Sequence, residues 1–240
     1  MERHLQIKNK RIFKKLFFAF LGLLFSVNFS VYSQASFVER IIRIPLWAEL
    51  DAYPESEQAA NINSEQYEFP INRMHEVAPF IINGMVYGWN FVYVPSDKAR
   101  GVEEYFEVTE ITDSEVTKNK INYTSPWIEN NKLNCWVEYE RTEAQVQNYR
   151  LWTSIKNPVI SGLGYAAVEK GFDGIEEAAK DSLKTAIRDY YRSIIKNKPK
   201  EINGSVLIRN LGALGIDSGR YVINLAFFLE CGKIIEYSVY

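Results

Sequence analysis

The chain has 240 residues, with 28 Lys and Arg against 30 Asp and Glu. Residues 1–33 hold six of the basic groups and one acidic group, so the rest of the chain carries 22 basic and 29 acidic groups, a formal charge of −7. That balance excludes sequence-independent nucleic-acid binding, which needs a basic surface to displace counterions, and it gives no general attraction to anionic lipid.

The chain begins with Lys8, Lys10, Arg11, Lys14 and Lys15, followed by an uncharged run from Leu16 to Phe25 and then Val31-Tyr32-Ser33. A basic start, a short apolar stretch and modest side chains at the cut predict a Sec-type signal peptide cleaved near Ser33. The apolar run falls short of the roughly twenty residues that span a bilayer; an uncleaved anchor is the alternative reading. Without a cysteine at the cut, a lipoprotein is not indicated. The expected product is exported, periplasmic or extracellular, with no membrane span after cleavage.

Phe37 to Leu50 carries Pro45 and reads as an edge strand, because proline cannot donate to a ladder. Ala52 to Glu68 is polar and reads as loop. Apolar residues at 71, 74, 77, 78, 81 and 82 have helical spacing, with Pro79 expected to bend or interrupt the helix. Met85 to Val94 alternates as a strand, with Tyr87, Trp89, Phe91 and Tyr93 on one face, and Pro95-Ser96-Asp97 closes it. Further strands are expected over Glu103 to Thr112, Asn119 to Pro126 and Leu133 to Tyr139, and a short helix over Glu143 to Ile155.

Ser161-Gly162-Leu163-Gly164 reads as a turn. Asp173 and Glu176 have capping-box spacing, and Ile175, Ala178, Ala179, Ser182, Leu183, Ala186, Ile187, Tyr190 and Ile194 recur as one helical face. Lys196, Lys198 and Pro199 end that helix. Ser205 to Asn210 is expected to be a short strand and Arg220 to Cys231 a long one, with Gly232-Lys233 turning into Ile234 to Tyr240. The fold class is α+β, an antiparallel sheet crossed by one long amphipathic helix. The expected division is residues 1–33 as signal peptide, 34–157 as a β-rich α+β region and 158–240 as a helix-on-sheet domain, with Asn157-Pro158 between the last two.

Several residues invite a chemical reading. His75 is the sole histidine after cleavage, too few for a multi-histidine zinc site, though it can serve as a base for Cys135 if the fold brings them together. The ordinary reading is a structural histidine and a buried thiol. Cys135 and Cys231 can bridge in an oxidising compartment or stay free. Ser193 and Lys196 match a Ser-x-x-Lys spacing but lack the partner motifs of serine acyl-transfer enzymes and close a helix rather than begin one. Gly162-x-Gly164-x-x-Ala167 has the outline of a dinucleotide fingerprint without its strand and helix context.

Glu103, Glu104, Glu107 and Glu110 cluster, as do Glu138, Glu140 and Glu143. Paired carboxylates can cleave a glycosidic bond, but at strand spacing they are ordinarily a solvated face. Lys180, Lys184, Arg188, Arg192 and Lys196 form an i, i+4 stripe that either binds an anionic polymer or acidic partner, or is a solvated helix face. Trp127 and Trp152 are the aromatics whose exposure would favour a glycan surface. Tyr237 and Tyr240 give an aromatic ending like that of outer-membrane barrels, which the expected helices argue against.

From Gly162 to Cys231 the order is Gly-x-Gly-x-Ala, then a helix with Ala-Ala-Lys-Asp-Ser-Leu-Lys-Thr-Ala-Ile-Arg, then strands with Gly-Arg-Tyr-Val-Ile-Asn-Leu. This stretch, about a third of the chain, resembles the small exported α+β domain in the N-terminal part of flagellar assembly protein T and related envelope lipoproteins. It departs from the lipoproteins in having no lipidated cysteine. The resemblance implies a non-enzymatic accessory role in an envelope or flagellar assembly and carries over no functional residue. The expectation is therefore a non-catalytic exported protein that docks to an envelope protein partner. The binding surface is expected among Trp127, Trp152, Lys184, Arg188 and Arg192, with no cofactor, metal or catalytic residue assigned. A glycan- or peptidoglycan-binding module is the alternative, and an envelope hydrolase the third reading.

Overall fold

In the computed structural model the described residues are 39–50 and 67–237. The signal-peptide segment, the polar stretch at 52–66 and Tyr240 lie outside them. The chain order is strand β1 (Ile41–Glu49), helix α1 (Glu68–Val86), strands β2 (Trp89–Val94) and β3 (Tyr105–Glu110), helix α2 (Glu115–Lys118), strands β4 (Ile121–Glu129) and β5 (Lys132–Glu140) and helix α3 (Glu143–Trp152). Strand β6 (Val159–Ala167), helix α4 (Phe172–Ile194) and strands β7 (Glu201–Asp217) and β8 (Arg220–Ile235) follow. The fold is α+β.

The strands form two sheets, β1-β5-β4 and β3-β2-β7-β8-β6. In the larger one every neighbouring pair is antiparallel. β1 is an edge strand, as Pro45 requires. β2 and β3 share a sheet with β6, β7 and β8, so the expected division at Asn157-Pro158 cuts across one sheet.

Helix α4 lies on β6 and β8. Its spacing puts Ile175, Ala178, Ala179, Leu183, Ala186 and Ile187 against the sheet, all buried. Each fully buried Leu or Ile contributes about 1.5–3 kcal/mol. Close approach depends on the strand as well. A Cβ added at Gly162 would stand 2.0 Å from the Ser182 carbonyl oxygen, and one at Gly164 2.0 Å from that of Ala178. The Ser161–Gly164 stretch is therefore strand rather than turn, and its glycines are the space into which the helix settles. Ser182 Oγ donates to the Gly162 carbonyl at 2.8 Å across that contact.

Several other expectations are corrected. The helix begins at Phe172 with Gly171 at its N-cap and no side-chain cap, so Asp173 and Glu176 form no capping box; Glu176 pairs with Lys180 instead. A capping box does form at α3, where Thr142 Oγ1 accepts from the Gln145 N–H and Gln145 Oε1 accepts from the Thr142 N–H. Pro79 lies inside α1 without ending it, and the helix continues through Met85 and Val86. The strand after it therefore starts at Trp89. No turn forms at Gly232-Lys233. β8 runs through them to Ile235, and a Cβ at Gly232 would lie 2.5 Å from the Asn203 carbonyl oxygen. That glycine marks a register shift between Ile202 and Gly204 on the partner strand. The hairpin turn is at Ser218-Gly219, whose φ values of 50° and 72° suit the tight reversal that matches strand twist.

Candidate functional site

An open groove of about 650 Å³ lies between α1 and the β4–β5 hairpin. The first half of α1 supplies Ile71, Met74 and His75, while its second half, from Val77 to Val86, is wholly buried. β5 contributes Leu133 and Cys135, two residues of the alternating face Leu133, Cys135, Val137 and Tyr139. β4 contributes Tyr123, Trp127 and Ile128.

β4 reaches the groove through a distortion. The β4–β5 register shifts between Thr124 and Trp127, and Ser125 has φ 49°. Pro126 cannot donate to a ladder and sits in this shift on an edge strand. Past the shift Ile128 pairs with Leu133 at the groove, 54% exposed. Ile71 faces it from α1 at 41%. Trp127 is half-buried, its ring 6.3 Å from Trp136, and its Nε1–H donates to Glu129 at 3.4 Å.

His75 and Cys135 both line this groove. The exposed His75 ring stacks on Tyr123 with centroids 4.6 Å apart. Cys135 Sγ lies 3.3 Å from Met74 Sδ, and burial pushes its thiol up to about 11. A nucleophile must be thiolate, so at neutral pH this sulfur behaves as a small apolar group. Both cysteines are free, which corrects the disulfide alternative. Cys135 is buried in the three-stranded sheet, whereas Cys231 is exposed on β8 beside Tyr190 and Tyr191.

A second concavity of about 280 Å³ lies at the C-terminal end of α4, lined by Arg188 and Arg192 with Lys196 and Lys198 beyond the helix. The basic stripe divides here. Lys180 pairs with Glu176, and Lys184 with Asp181 at 2.9 Å, so the first half is an ion-paired helix face.

A protein-family model matches residues 30–237. The chain belongs to that family. It is also 28% identical over 225 residues to an uncharacterized protein of Treponema pallidum (strain Nichols), covering 90% of each chain. No solved structure matches. The family match takes in both sheets, the apolar groove and the whole of α4.

In this family member several of the other sequence candidates have structural partners. Trp152 is buried with Leu207 and Phe228, which removes it from the expected binding surface. Ser193 Oγ donates to the Tyr190 carbonyl at 2.6 Å, closing the last helical turn. Glu104 accepts from Tyr93 Oη at 2.9 Å, Glu107 accepts from Tyr105 Oη at 2.7 Å, and Glu138 pairs with Arg43 at 3.1 Å. Glu110 is held above the usual carboxylate range, chiefly by burial, and lines a cavity of about 30 Å³ with Glu176 and Lys180. That space suits about one water molecule rather than a sugar ring.

Sequence reasoning missed Tyr67, Ile71, Met74, Tyr123, Ile128 and Leu133 as groove residues. The available signal was Trp127-Ile128 just past Pro126, two large apolar residues where a strand was expected to stop.

Proposed function

We propose that this chain is a non-catalytic exported protein that docks to a cell-envelope component, gripping an apolar segment of a partner protein in the groove between α1 and the β4–β5 hairpin. The observation that carries the reading is the groove itself, about 650 Å³ walled by aliphatic and aromatic side chains, with Ile71 and Ile128 exposed at its sides. Apolar surface of this kind marks interaction sites more often than it marks ordinary protein exterior. The basic, then apolar, start of the chain supports export. The likeness of residues 162–231 to the flagellar assembly domain supports an accessory role.

A photo-crosslinking residue in place of Ile128, in cells, tests the proposal. One recurrent protein adduct, lost when Ile71→Glu is added, is the expected result. Adducts confined to cell-wall fragments would overturn it in favour of the glycan-binding reading, which the half-buried Trp127 at the groove favours.

A further inference from the structure

The cavity at the end of α4 gathers positive charge. Four cations line it, Arg188, Arg192, Lys196 and Lys198, against one lining carboxylate, Glu104, whose Oε1 already accepts from Tyr93 Oη at 2.9 Å. The chain beyond residue 33 carries a formal −7, so this concentration opposes the overall balance.

A helix C-terminus attracts cations by itself, because its free carbonyls carry partial negative charge, but that effect fades within the last turn. Arg188 lies almost two turns before the helix end at Ile194, and Lys198 lies four residues after it. The backbone brings both to one concavity. Lys198 is fixed there by donating its Nζ to the Ser96 carbonyl at 2.7 Å, which ties the segment after α4 to the end of β2.

The guanidinium groups retain binding capacity. Arg188 Nε is buried and has no hydrogen-bond partner; a carboxylate oxygen of Asp189 stands off at 3.8 Å. Among the described residues, Arg192 and Lys196 have no acidic partner within ion-pair distance, unlike Lys180 and Lys184 on the same helix. Arginine offers planar forks that match tetrahedral oxyanions, and lysine adds compact point charge. A single carboxylate would leave most of this wall unpaired. A phosphate group, with more oxygens and charge, fits it better, and about 280 Å³ leaves room for the anion and its water.

We infer that the cavity at the C-terminal end of α4 binds a phosphate group, free or carried on a lipid headgroup. The site is separate from the apolar groove and does not depend on the docking role proposed for it.

The test uses the full chain and two probes: pyrophosphate by titration calorimetry, and phosphatidylcholine vesicles with or without phosphatidylglycerol by co-sedimentation. Two double variants are compared, Arg192→Gln with Lys196→Gln, and Lys180→Gln with Lys184→Gln. Both remove the same charge from exposed or half-exposed positions, so bulk electrostatics changes equally. The chain is expected to bind at least one probe, and the first variant to lose at least about tenfold in affinity, as charge-assisted hydrogen bonds are lost. The second is expected to stay within about twofold, since surface ion pairs contribute little. Pyrophosphate binding without vesicle affinity identifies a free phosphate compound, and the reverse identifies a lipid headgroup. Equal loss in the two variants, or no binding of either probe, overturns the inference.

Discussion

The five-stranded sheet and the three-stranded sheet are built from similar strands, yet they treat their apolar faces differently. Over β6 and β8 the long helix α4 lies flush, seated by Gly162 and Gly164, and the face beneath it is buried. Among the described residues, the first half of α1 is what faces β4 and β5 across the groove, and it leaves Ile71 and Ile128 in contact with solvent. Burial depends on whether a covering element can come close enough along its whole length. Glycine and alanine allow that in one region. A bulge and a proline on an edge strand prevent it in the other.

Substitutions that exchange the two behaviours should break the comparison, and the largest effect is expected where two tryptophans differ most. Trp152 packs against Leu207 and Phe228, so Trp152→Ala should cost about 3–5 kcal/mol in urea unfolding. Trp127→Ala, at the groove, should cost less than about 1 kcal/mol while weakening partner capture. Next in size is Gly164→Ala. The new methyl meets the Ala178 carbonyl and Ser182 backbone, which cannot swing aside, so α4 must lift and about 2–3 kcal/mol should be lost. An equal stability for the two glycine and alanine forms would show that the helix does not need this close seat.

The smallest effect concerns Cys135. Burial raises its thiol from an ordinary 9.0 to about 11, so the folded chain holds that proton more tightly than the unfolded chain does. The stability this contributes is complete below about pH 9 and is lost as pH rises through about 11. Cys135→Ala should flatten that alkaline limb relative to the native chain. At pH 8 iodoacetamide should modify the exposed Cys231 and spare Cys135, which mass spectrometry of digested protein checks directly.

Much of the α4 region was readable because one helix face repeats from Ile175 to Ile187, and local spacing there reports burial. Leu133, Cys135, Val137 and Tyr139 were equally plain as an alternating buried face. The groove was not readable, since it depends on a register shift at Ser125-Pro126 that turns Ile128 toward α1, and alternation breaks at that point. The hairpin was misplaced for a related reason. Gly232-Lys233 and Ser218-Gly219 are both acceptable turn pairs locally, and only the pairing of β7 with β8 chooses between them. The cysteines carried no spacing signal at all, because their separation depends on which sheet each strand joins.

The order of strands in the larger sheet also bears on when the molecule can be completed. β2 is made early, but one of its neighbours is β7, more than a hundred residues later, and β6 waits for β8. Until residues 201–235 are available, one edge of β2 has no partner and β6 has no sheet to join. Contacts so distant in sequence slow folding, because a long loop must close before any bond repays it. A nascent chain of this design keeps the larger sheet incomplete until β7 and β8 have been made.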